Sequence, residues 1–364
     1  MRKAVLLFIL ALFFALTGYV CHCLWRIAPP GQKWPVTAIF LLWMVSAFAA
    51  FFLTEHIPVG AASVLYEVGH TWMIAFLYLL IVFILADIAS LCHLLPKVIL
   101  KDSAFGLLST IVIVSLIMFF GSVNYHHKFR EELTLTTDKP LEAPLTIVLA
   151  SDLHLGYHNR KAELSRWVNL INAEHPDLVL FGGDIVDRSL RPMLEWNYAE
   201  EFRRIQAPVW AVLGNHEYYS DIDAAEQFYR DAGIHLLKDS SAHFRGIDII
   251  GRNDLSYPCR VSLSDLSEGL LGFTILLDHQ PSHLEEAEEA GIDFQFSGHT
   301  HRGQVWPISW ITDAIFEKSW GHHSRGNTKY YVSSGLGIWG PKIRVGTRSE
   351  YLVLHLKPAQ DVSL

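Results

Sequence analysis

The stretch LTIVLASDLHL at residues 145–155 decides the fold of the C-terminal two thirds of the chain. It begins as a continuous apolar run, which is typical of a buried strand, and it ends in a polar Asp-x-His triplet. The same arrangement of an apolar run followed by polar residues recurs along the chain. Further buried strands are therefore predicted at residues 178–181, 209–213, 273–277 and 294–296.

Amphipathic helical patterns lie between the first four of these strands, which predicts α/β organisation. They occupy residues 161–173, 196–205 and 224–232. Additional strand patterns indicate a second sheet packed on the first. These lie at residues 243–251, 329–333 and 351–356.

Short polar motifs begin where the strand patterns end. Ligands in open α/β sheets gather at the carboxyl ends of strands, so these motifs are expected to share one site. The motifs are SDLHLG at 151–156, GGDIVD at 182–187, GNHE at 214–217, DH at 278–279 and GHTH at 298–301. Their candidate metal ligands are Asp152, His154, Asp184, Asn215, His279, His299 and His301.

These side chains have the chemistry of a site for two cations. Asp152 and His154 alternate along one extended stretch, so they project to the same side. Asp184 follows two glycines that allow the backbone to turn sharply, and a carboxylate can bridge two metals. Cations ~3.5 to 4 Å apart clamp the attacking and leaving oxygens of a phosphoryl displacement. Oxygen and nitrogen ligands without thiolate indicate Mn²⁺, Fe or Zn²⁺.

Each motif taken alone also has an ordinary structural interpretation. Asp-x-His and Gly-Gly-Asp are common turn sequences, and a lone His279 is typical of a core histidine. GHTH at 298–301 is the most specific single piece, because two imidazoles alternate directly after a strand pattern. The order of all five motifs, each after an apolar run, favours the metal site over coincidence.

The N-terminal third contains four apolar runs, each near the ~20 residues that cross a bilayer. They predict membrane helices at about 4–25, 36–53, 72–94 and 104–123 within a transmembrane region of residues 1–124. A cleavable signal peptide is the alternative for the first run, but that run exceeds the ~7 to 15 residues of a signal core. The protein is therefore expected to be a multi-pass membrane protein.

Loop charges give nearly balanced indications of orientation. Arg2 and Lys3 at the extreme N-terminus favour a cytoplasmic C-terminal domain, as do Lys128, Arg130 and Lys139. The opposite side is favoured by Arg26, Lys33, Lys97 and Lys101. The prediction follows the N-terminus. The four cysteines do not resolve the orientation and imply no disulfide framework.

Taken together, the motifs resemble those of the calcineurin-like metallophosphoesterase superfamily over residues 143–358. The chain is similar to bacterial members that also carry a late glycine segment, here GLGIWGP at 335–341. The resemblance implies a four-layer αββα sandwich. The bundle of four transmembrane α-helices that precedes it is predicted from hydropathy alone, and the expected location is the bacterial inner membrane. Residues 125–142 are then a linker and residues 359–364 a tail.

The resemblance also implies a role for each site residue. Asp152, His154, Asp184 and His301 would bind one metal, and Asp184, Asn215, His279 and His299 the other. His216 would be a catalytic histidine near the leaving group, acting as general acid or stabilising charge. The alternative for His216 is that it holds Asp152 or Asp187 in place. Asp187 and Glu217 are expected to support the ligands rather than bind metal.

Substrate class is inferred from charge and location. The chain has a formal net charge of −8 and no basic run near the site, so nucleic acid is not an expected partner. Membrane tethering favours a phosphodiester or pyrophosphate of a lipid-linked or envelope precursor, as in the resembling hydrolases of UDP-diacylglucosamine. Arg302 departs from a glycine common in relatives, and it is either a phosphate contact or a surface arginine.

Two alternatives remain open from the sequence. One is a phosphomonoesterase that acts on a nucleotide or a protein. The other is a membrane sensor or transport protein with a metal-binding regulatory domain, because an intramembrane carboxylate such as Asp87 is a functional candidate. The oligomeric state is not indicated by the sequence.

Overall fold

The computed structural model describes residues 2–359, with side chains from residue 5 onward. The chain divides into two compact units, Met1–Val123 and Asn124–Leu364, called here the N-terminal and C-terminal units. The predicted tail at 359–364 lies outside the described residues except for Ala359. The side chains of Arg2 and Lys3, on which the orientation prediction depends, also lie outside them.

Four long helices account for most of the N-terminal unit, the last of them ending three residues inside the C-terminal unit. They are α1 Arg2–Ile27, α2 Lys33–Leu53, α3 Val59–Leu91 and α4 Ala104–His126. Each is long and apolar enough to cross a membrane, with a mean hydropathy of 2.3 to 2.6. Many large apolar side chains are exposed, such as Leu42 and Phe105. A lipid environment accounts for that exposure, so the predicted membrane helices are confirmed.

The third helix begins much earlier than the hydropathy pattern predicted. The sequence places residues 59–71 in the loop between the second and third predicted membrane helices, yet they continue α3. Gly69 lies against α2 so closely that a Cβ there would come within 2.6 Å of the Ser46 carbonyl oxygen. Small residues allow such close helix approach in membranes. Hydropathy therefore missed a helical segment that helix packing stabilises.

Asp87 is satisfied within the helical bundle. Its carboxylate lies 2.5 Å from the Arg26 guanidinium and accepts a hydrogen bond of 2.8 Å from the Tyr19 hydroxyl. The side chains of Asp87 and Arg26 are about one quarter exposed. This pairing is the structural alternative to a transport role for the intramembrane carboxylate.

Twelve strands form two six-stranded mixed sheets in the described part of the C-terminal unit. In chain order they are β1 Lys128–Thr137, β2 Leu145–Ala150, β3 Leu178–Phe181, β4 Val209–Ala211, β5 Ile234–Leu236, β6 Ser240–Phe244, β7 Ile247–Gly251, β8 Phe273–Leu277, β9 Phe294–Ser297, β10 Gly321–Arg325, β11 Thr328–Val332 and β12 Ser349–Pro358. The first sheet has the order β1-β12-β2-β3-β4-β5 and the second β10-β11-β9-β8-β7-β6.

Shorter helices cover the outer faces of both sheets. They are α5 Lys161–Ala173, α6 Arg191–Glu195, α7 Ala199–Phe202, α8 Asn215–Tyr219, α9 Ile222–Ala232, α10 Leu263–Ser267, α11 Leu284–Glu289 and α12 Ile308–Ile315. Trp167 and Phe228 on α5 and α9 pack on the first sheet, and Leu284 on α11 packs on the second. Ile147 and Ile275 belong to the core between the sheets. The predicted αββα sandwich is confirmed.

Several local predictions were wrong. Residues 128–137 of the predicted linker form β1, which pairs in parallel with β12 from Lys128↔Ser349 to Thr137↔Pro358. The half-exposed, alternating burial of β1 gave no continuous apolar run. Residues 243–251 form parts of a hairpin rather than one strand, since the chain turns at Arg245 and Gly246 with positive φ. The helix predicted at 196–205 is only α7.

Candidate metal centre

The candidate ligands follow the carboxyl ends of five strands. Within each sheet these strands run parallel, β2 with β3 and β4, and β8 with β9. Their ends therefore lie at one edge of the sandwich, as the sequence predicted. Asp152 and His154 follow β2, Asp184 follows β3, Asn215 follows β4, His279 follows β8, and His299 and His301 follow β9.

One group of ligand atoms comes from Asp152, His154 and His301. The Nε2 atoms of His154 and His301 are 2.9 Å apart. The Asp152 Oδ1 atom is 3.4 Å from His301 Nε2 and 3.8 Å from His154 Nε2. All three residues are buried. Three donors thus converge on one point from β2 and β9, which belong to different sheets.

A second group comes from Asp184, His279 and His299. The Asp184 Oδ2 atom is 3.1 Å from His279 Nε2. The amide oxygen of Asn215 is 2.7 Å from His299 Nδ1, so Asn215 joins this group. Asp184 Oδ2 is also 3.7 Å from His154 Nε2, so one carboxylate contacts both groups.

The donors fit divalent cations by their chemistry and by their unsatisfied atoms. His279 Nδ1 donates to the Gly182 carbonyl oxygen at 2.7 Å, which leaves Nε2 as the atom with a lone pair. That Nε2 is buried and faces Asp184 Oδ2 at 3.1 Å. When Nε2 carries no proton, a ligand such as a cation is needed there, because a buried unsatisfied nitrogen is costly. Oxygen and imidazole donors without thiolate suit Mn²⁺, Fe or Zn²⁺.

The charges of the site depend on one another. Burial opposes the charge of His154, but Asp152 and Asp187 outweigh it and raise the pKa of His154 to about 10. Burial likewise opposes the charge of Asp184, but His279 and other histidines hold the pKa of that carboxyl well below its usual range. The carboxylates therefore favour protonated His154 and His279, whereas burial lowers the pKa of His299 and His301. Bound cations would replace those protons, so metal binding should release them.

The backbone at the site is held in an unusual conformation. Five of the seven candidate ligands have φ between 45° and 69°, in the left-handed region: Asp152, His154, Asp184, His299 and His301. Such residues cost about 1–3 kcal/mol each, and they cluster at functional sites. Gly214 permits a close approach of the ligand loops, because a Cβ there would lie 2.1 Å from Asp184 Oδ1. The strained backbone thus places the ligands, and the packing of the surrounding fold offsets the energetic cost of that strain.

The calcineurin-like phosphoesterase family model matches residues 145–303. An uncharacterised metallophosphoesterase of Campylobacter jejuni is 30% identical over 258 residues, which cover 68% of this chain and 69% of that protein. The chain belongs to the calcineurin-like phosphoesterase family. It is a metal-dependent phosphoesterase, as the resemblance of its motifs implied.

Two further relatives bear on the architecture. An uncharacterised metallophosphoesterase of Aquifex aeolicus is 30% identical over 62% of this chain and 91% of that protein. A transmembrane protein with metallophosphoesterase domain from Danio rerio is 31% identical over 59% of this chain and 54% of that protein. The chain thus spans about half the length of the Danio rerio protein. This chain likewise combines membrane helices with a phosphoesterase domain.

Glu217 connects the loops that carry the ligands of the phosphoesterase. Its buried carboxylate accepts hydrogen bonds from the amides of Gly214 at 2.7 Å and Val186 at 2.9 Å. It also accepts from the amide of Asp184 at 3.2 Å and from the Tyr229 hydroxyl at 2.9 Å. Burial, followed by the charge of Asp184, raises the pKa of Glu217 to about 7. These contacts agree with the expected supporting role.

His216 is held in place from two sides. Its Nδ1 donates to the Asp187 carbonyl oxygen, and its amide donates to Asp184 Oδ1 at 2.9 Å. The side chain is 15% exposed. Its ring is 4.5 Å from that of His154 and 5.5 Å from that of Tyr219, a largely exposed residue. The imidazole therefore lies beside the ligands and reaches the surface.

The structure shows what two further residues near the motifs contact. His158, which follows the first motif, is buried, and its Nε2 donates to the Ile338 carbonyl oxygen at 2.7 Å. Arg302 stacks on Trp320, with its guanidinium carbon 4.1 Å from the ring centroid. His158 thus stabilises the fold beside the site, and Arg302 is engaged by an aromatic ring.

Sequence reasoning did not find Arg344, although it supports His301. Its fully buried guanidinium donates to the carbonyl oxygens of His301 and Gly337, each at 3.1 Å. The amide of Gly337 donates to the Asp152 carbonyl oxygen at 3.0 Å. The late glycine segment thus packs on the first ligand loop. The only signal was the position of Arg344 three residues after that segment.

Proposed function

We propose that the two ligand groups hold two divalent cations that together hydrolyse a phosphodiester or pyrophosphate bond of a lipid-linked substrate. The observation that carries the proposal is the carboxylate of Asp184, which is near a histidine of each group. In this assignment Asp184 bridges the cations. The first cation has Asp152, His154, Asp184 and His301 as ligands, and the second has Asp184, Asn215, His279 and His299.

Bound cations of this kind supply activated water and clamp the attacking and leaving oxygens of the phosphoryl group. The chain supplies the proton for the leaving group through His216. Hydrogen bonding of Nδ1 to the Asp187 carbonyl oxygen fixes that proton on Nδ1 and leaves Nε2 for the substrate. In its protonated form, Nε2–H donates to the departing oxygen. His216 is thus the proposed general acid.

A lipid-linked substrate is supported by an apolar surface next to the ligands. Helix α12 begins seven residues after His301 and exposes Trp310, Ile311 and Ile315 at 64%, 54% and 69%. Phe316, which follows it, has its ring 6.1 Å from that of His299. Contiguous exposed apolar side chains of this size mark binding surfaces for apolar partners. Acyl chains on α12 would hold the headgroup phosphate at the cations.

The helices of residues 1–124 are proposed to anchor the enzyme in a bacterial inner membrane with the catalytic unit on the cytoplasmic side. The terminal charges Arg2 and Lys3 support that side. The pairing of Asp87 with Arg26 supports anchoring over transport, because it neutralises the carboxylate inside the bundle. Cysteine accessibility on whole cells, read at Cys259, tests the side of the membrane.

The hydrolytic proposal is tested on protein purified in detergent, stripped of metal and reloaded with Mn²⁺. Hydrolysis of bis-p-nitrophenyl phosphate is measured beside p-nitrophenyl phosphate, with Asn215→Ala and His216→Ala as variants. We expect metal-dependent diester cleavage that Asn215→Ala reduces strongly. His216→Ala should reduce it less, because p-nitrophenolate departs without a proton. Faster monoester cleavage would favour the phosphomonoesterase alternative. No turnover with two ions bound would favour the sensor alternative.

The lipid part of the proposal has a separate test. Trp310→Ser with Ile311→Ser should slow hydrolysis of a diacyl pyrophosphate at least about tenfold, since even one apolar side chain is worth ~1.5–3 kcal/mol when fully buried. Hydrolysis of bis-p-nitrophenyl phosphate should stay unchanged. Leu271→Ser is the matched control, because Leu271 is 84% exposed outside α12. Equal loss on both substrates would contradict a role in acyl recognition.

A further inference from the structure

A cavity of about 350 Å³ lies in the C-terminal unit beside the first residues after the membrane span. The candidate span ends at His126, and the lining of the cavity begins with Tyr125 and Lys128. Trp167 and Leu170 on α5 form the apolar part of the wall, and Arg166 forms part of the polar rim. None of these residues belongs to the candidate metal centre. We call this space the juxtamembrane cavity.

The ammonium group of Lys128 is presented to the cavity by aromatic residues. It donates to the Tyr125 carbonyl oxygen at 2.8 Å and lies 3.7 Å from the centroid of that ring. It lies 5.3 Å from the centroid of the Trp167 ring. Among the described residues, no carboxylate lies within 4.0 Å of this ammonium group. Within the part of the chain that the structure describes, Lys128 therefore has no acidic partner.

The surroundings of Lys128 carry excess positive charge. Glu163 is the carboxylate of the cavity wall, and it pairs with both Lys342 at 2.8 Å and Arg166 at 3.4 Å. Glu163 is thus engaged by two other basic residues. Burial, followed by the charge of Arg344, holds the pKa of Lys128 well below its usual range, and Lys342 and Arg166 act in the same direction. A bound anion would offset this repulsion.

The position of the cavity next to the end of a membrane span indicates which anion it binds. Of the residues that line it, Tyr125 and His126 end the candidate membrane span and Lys128 follows two residues later, so this part of the wall lies at the level of the lipid headgroups. Tyrosine and tryptophan favour that level, and basic residues there attract anionic lipids. We propose that the juxtamembrane cavity binds the phosphate of an anionic phospholipid, with Lys128 and Arg166 as its cationic contacts and Trp167 and Leu170 beside the glycerol.

Occupancy of the cavity is coupled to the metal centre by a short chain of hydrogen bonds. The Tyr125 hydroxyl donates to the side-chain oxygen of Asn159 at 2.6 Å. The amide group of Asn159 donates in turn to the carbonyl oxygens of Leu153 at 2.9 Å and His154 at 3.1 Å. These bonds are buried. A lipid that orders Tyr125 therefore also steadies the loop that holds His154.

Binding is measured by native mass spectrometry on the full chain in detergent, titrated with phosphatidylglycerol or phosphatidylcholine. We expect phosphatidylglycerol to be preferred, and each of Lys128→Gln and Arg166→Gln to weaken its binding about five-fold. Arg130→Gln is the matched control, because Arg130 lies on the same strand but is paired with Glu132 and Glu174. Its binding should match that of the unaltered chain.

Several results would overturn the proposal. Equal retention of both lipids would remove the anionic preference, and unchanged binding in the Lys128→Gln and Arg166→Gln variants would remove the cavity as the site. Competition by inorganic phosphate at the same concentration as the lipid would assign the cavity to a soluble anion. Retained metal content in each variant shows that the C-terminal unit is folded.

The coupling has its own readout in nanodiscs with and without phosphatidylglycerol. Hydrolysis of bis-p-nitrophenyl phosphate should be faster with the anionic lipid, and Lys128→Gln should abolish that increment. Tyr125→Phe should bind the lipid like the unaltered chain yet lose the increment, because it lacks the hydroxyl that contacts Asn159. An increment that survives in Tyr125→Phe would contradict transmission through this hydrogen bond.

Discussion

The two units of the molecule differ in which side chains they expose and which they bury. In the N-terminal unit, large apolar side chains such as Leu42 are exposed, at 68%. In the C-terminal unit, the carboxylate of Asp152 and the imidazole of His279 are fully buried. Exposed apolar groups are stable where the surroundings are lipid, and buried charges are stable only where partners neutralise them. Exposed apolar side chains thus indicate lipid around the N-terminal unit. Buried charges indicate neutralising partners inside the C-terminal unit.

The carboxylates of the two units are neutralised differently. Asp87 is paired with Arg26, so its counter-ion belongs to the chain. Asp152 and Asp184 have only histidines as ion-pair partners among the described residues. An arginine keeps its proton, whereas a histidine can exchange a proton for a metal. This difference separates a structural carboxylate from one that is available to cations.

The largest expected effect comes from removing the carboxylate charge shared by the ligand groups. Asp184→Asn keeps the shape of the side chain but weakens the attraction for both cations. We expect diester hydrolysis to fall by about 10³-fold or more, since metal stabilisation of the transition state is worth several kcal/mol. Metal content by plasma mass spectrometry should fall below two ions per chain. A variant with both ions and full activity would contradict the bridging role.

Replacement of His216 tests catalysis separately from metal binding. With an alkyl leaving group, His216→Gln should reduce turnover on the order of 10²-fold, as expected for loss of a general acid. With p-nitrophenol, which departs without a proton, the loss should be much smaller. Both ions should remain bound. An equal loss for both leaving groups would instead indicate that His216 acts by positioning Asp187 or the ligands.

Glu217 tests how far the support of the ligand loops matters. Glu217→Gln replaces an acceptor of four hydrogen bonds by a group that also donates, so one of the buried amide or hydroxyl contacts is lost. We expect metal affinity to weaken about 10- to 100-fold, measured by competition with a chelator. Glu226→Gln is the control, because Glu226 pairs with Lys238 away from the ligand loops. Similar affinities in the two variants would contradict the supporting role.

The smallest effect on catalysis is expected in the N-terminal unit. Asp87→Asn removes an ion pair whose side chains are about one quarter exposed. The free energy of unfolding should therefore fall by about 1 kcal/mol or less. Hydrolysis of bis-p-nitrophenyl phosphate should be unchanged, because Asp87 belongs to the membrane helices. If a cellular phenotype is lost while hydrolysis is retained, the transport or sensor alternative gains support.

Local patterns predicted much of the fold because strands and membrane helices leave continuous apolar runs. The strands at residues 145–150, 178–181 and 273–277 and the helix at 161–173 have the predicted bounds. Strand β1 was missed because it is half-exposed and has no such run. The start of α3 was missed because the hydropathy pattern does not mark its first turns. Gly69 in these turns packs against α2. Pairing and packing partners distant in sequence decide such segments.

By itself, the sequence determined the membrane helices, the α/β order and the types of candidate ligand, because each depends on side-chain chemistry over a few neighbouring residues. Only the tertiary structure decided which ligands converge. Asp152 meets His301 across two sheets, and Asp184 lies between His154 and His279. It also decided that His158 is buried and that Arg344 holds His301. Those contacts join residues far apart in the chain, and only the packing of the two sheets brings them together.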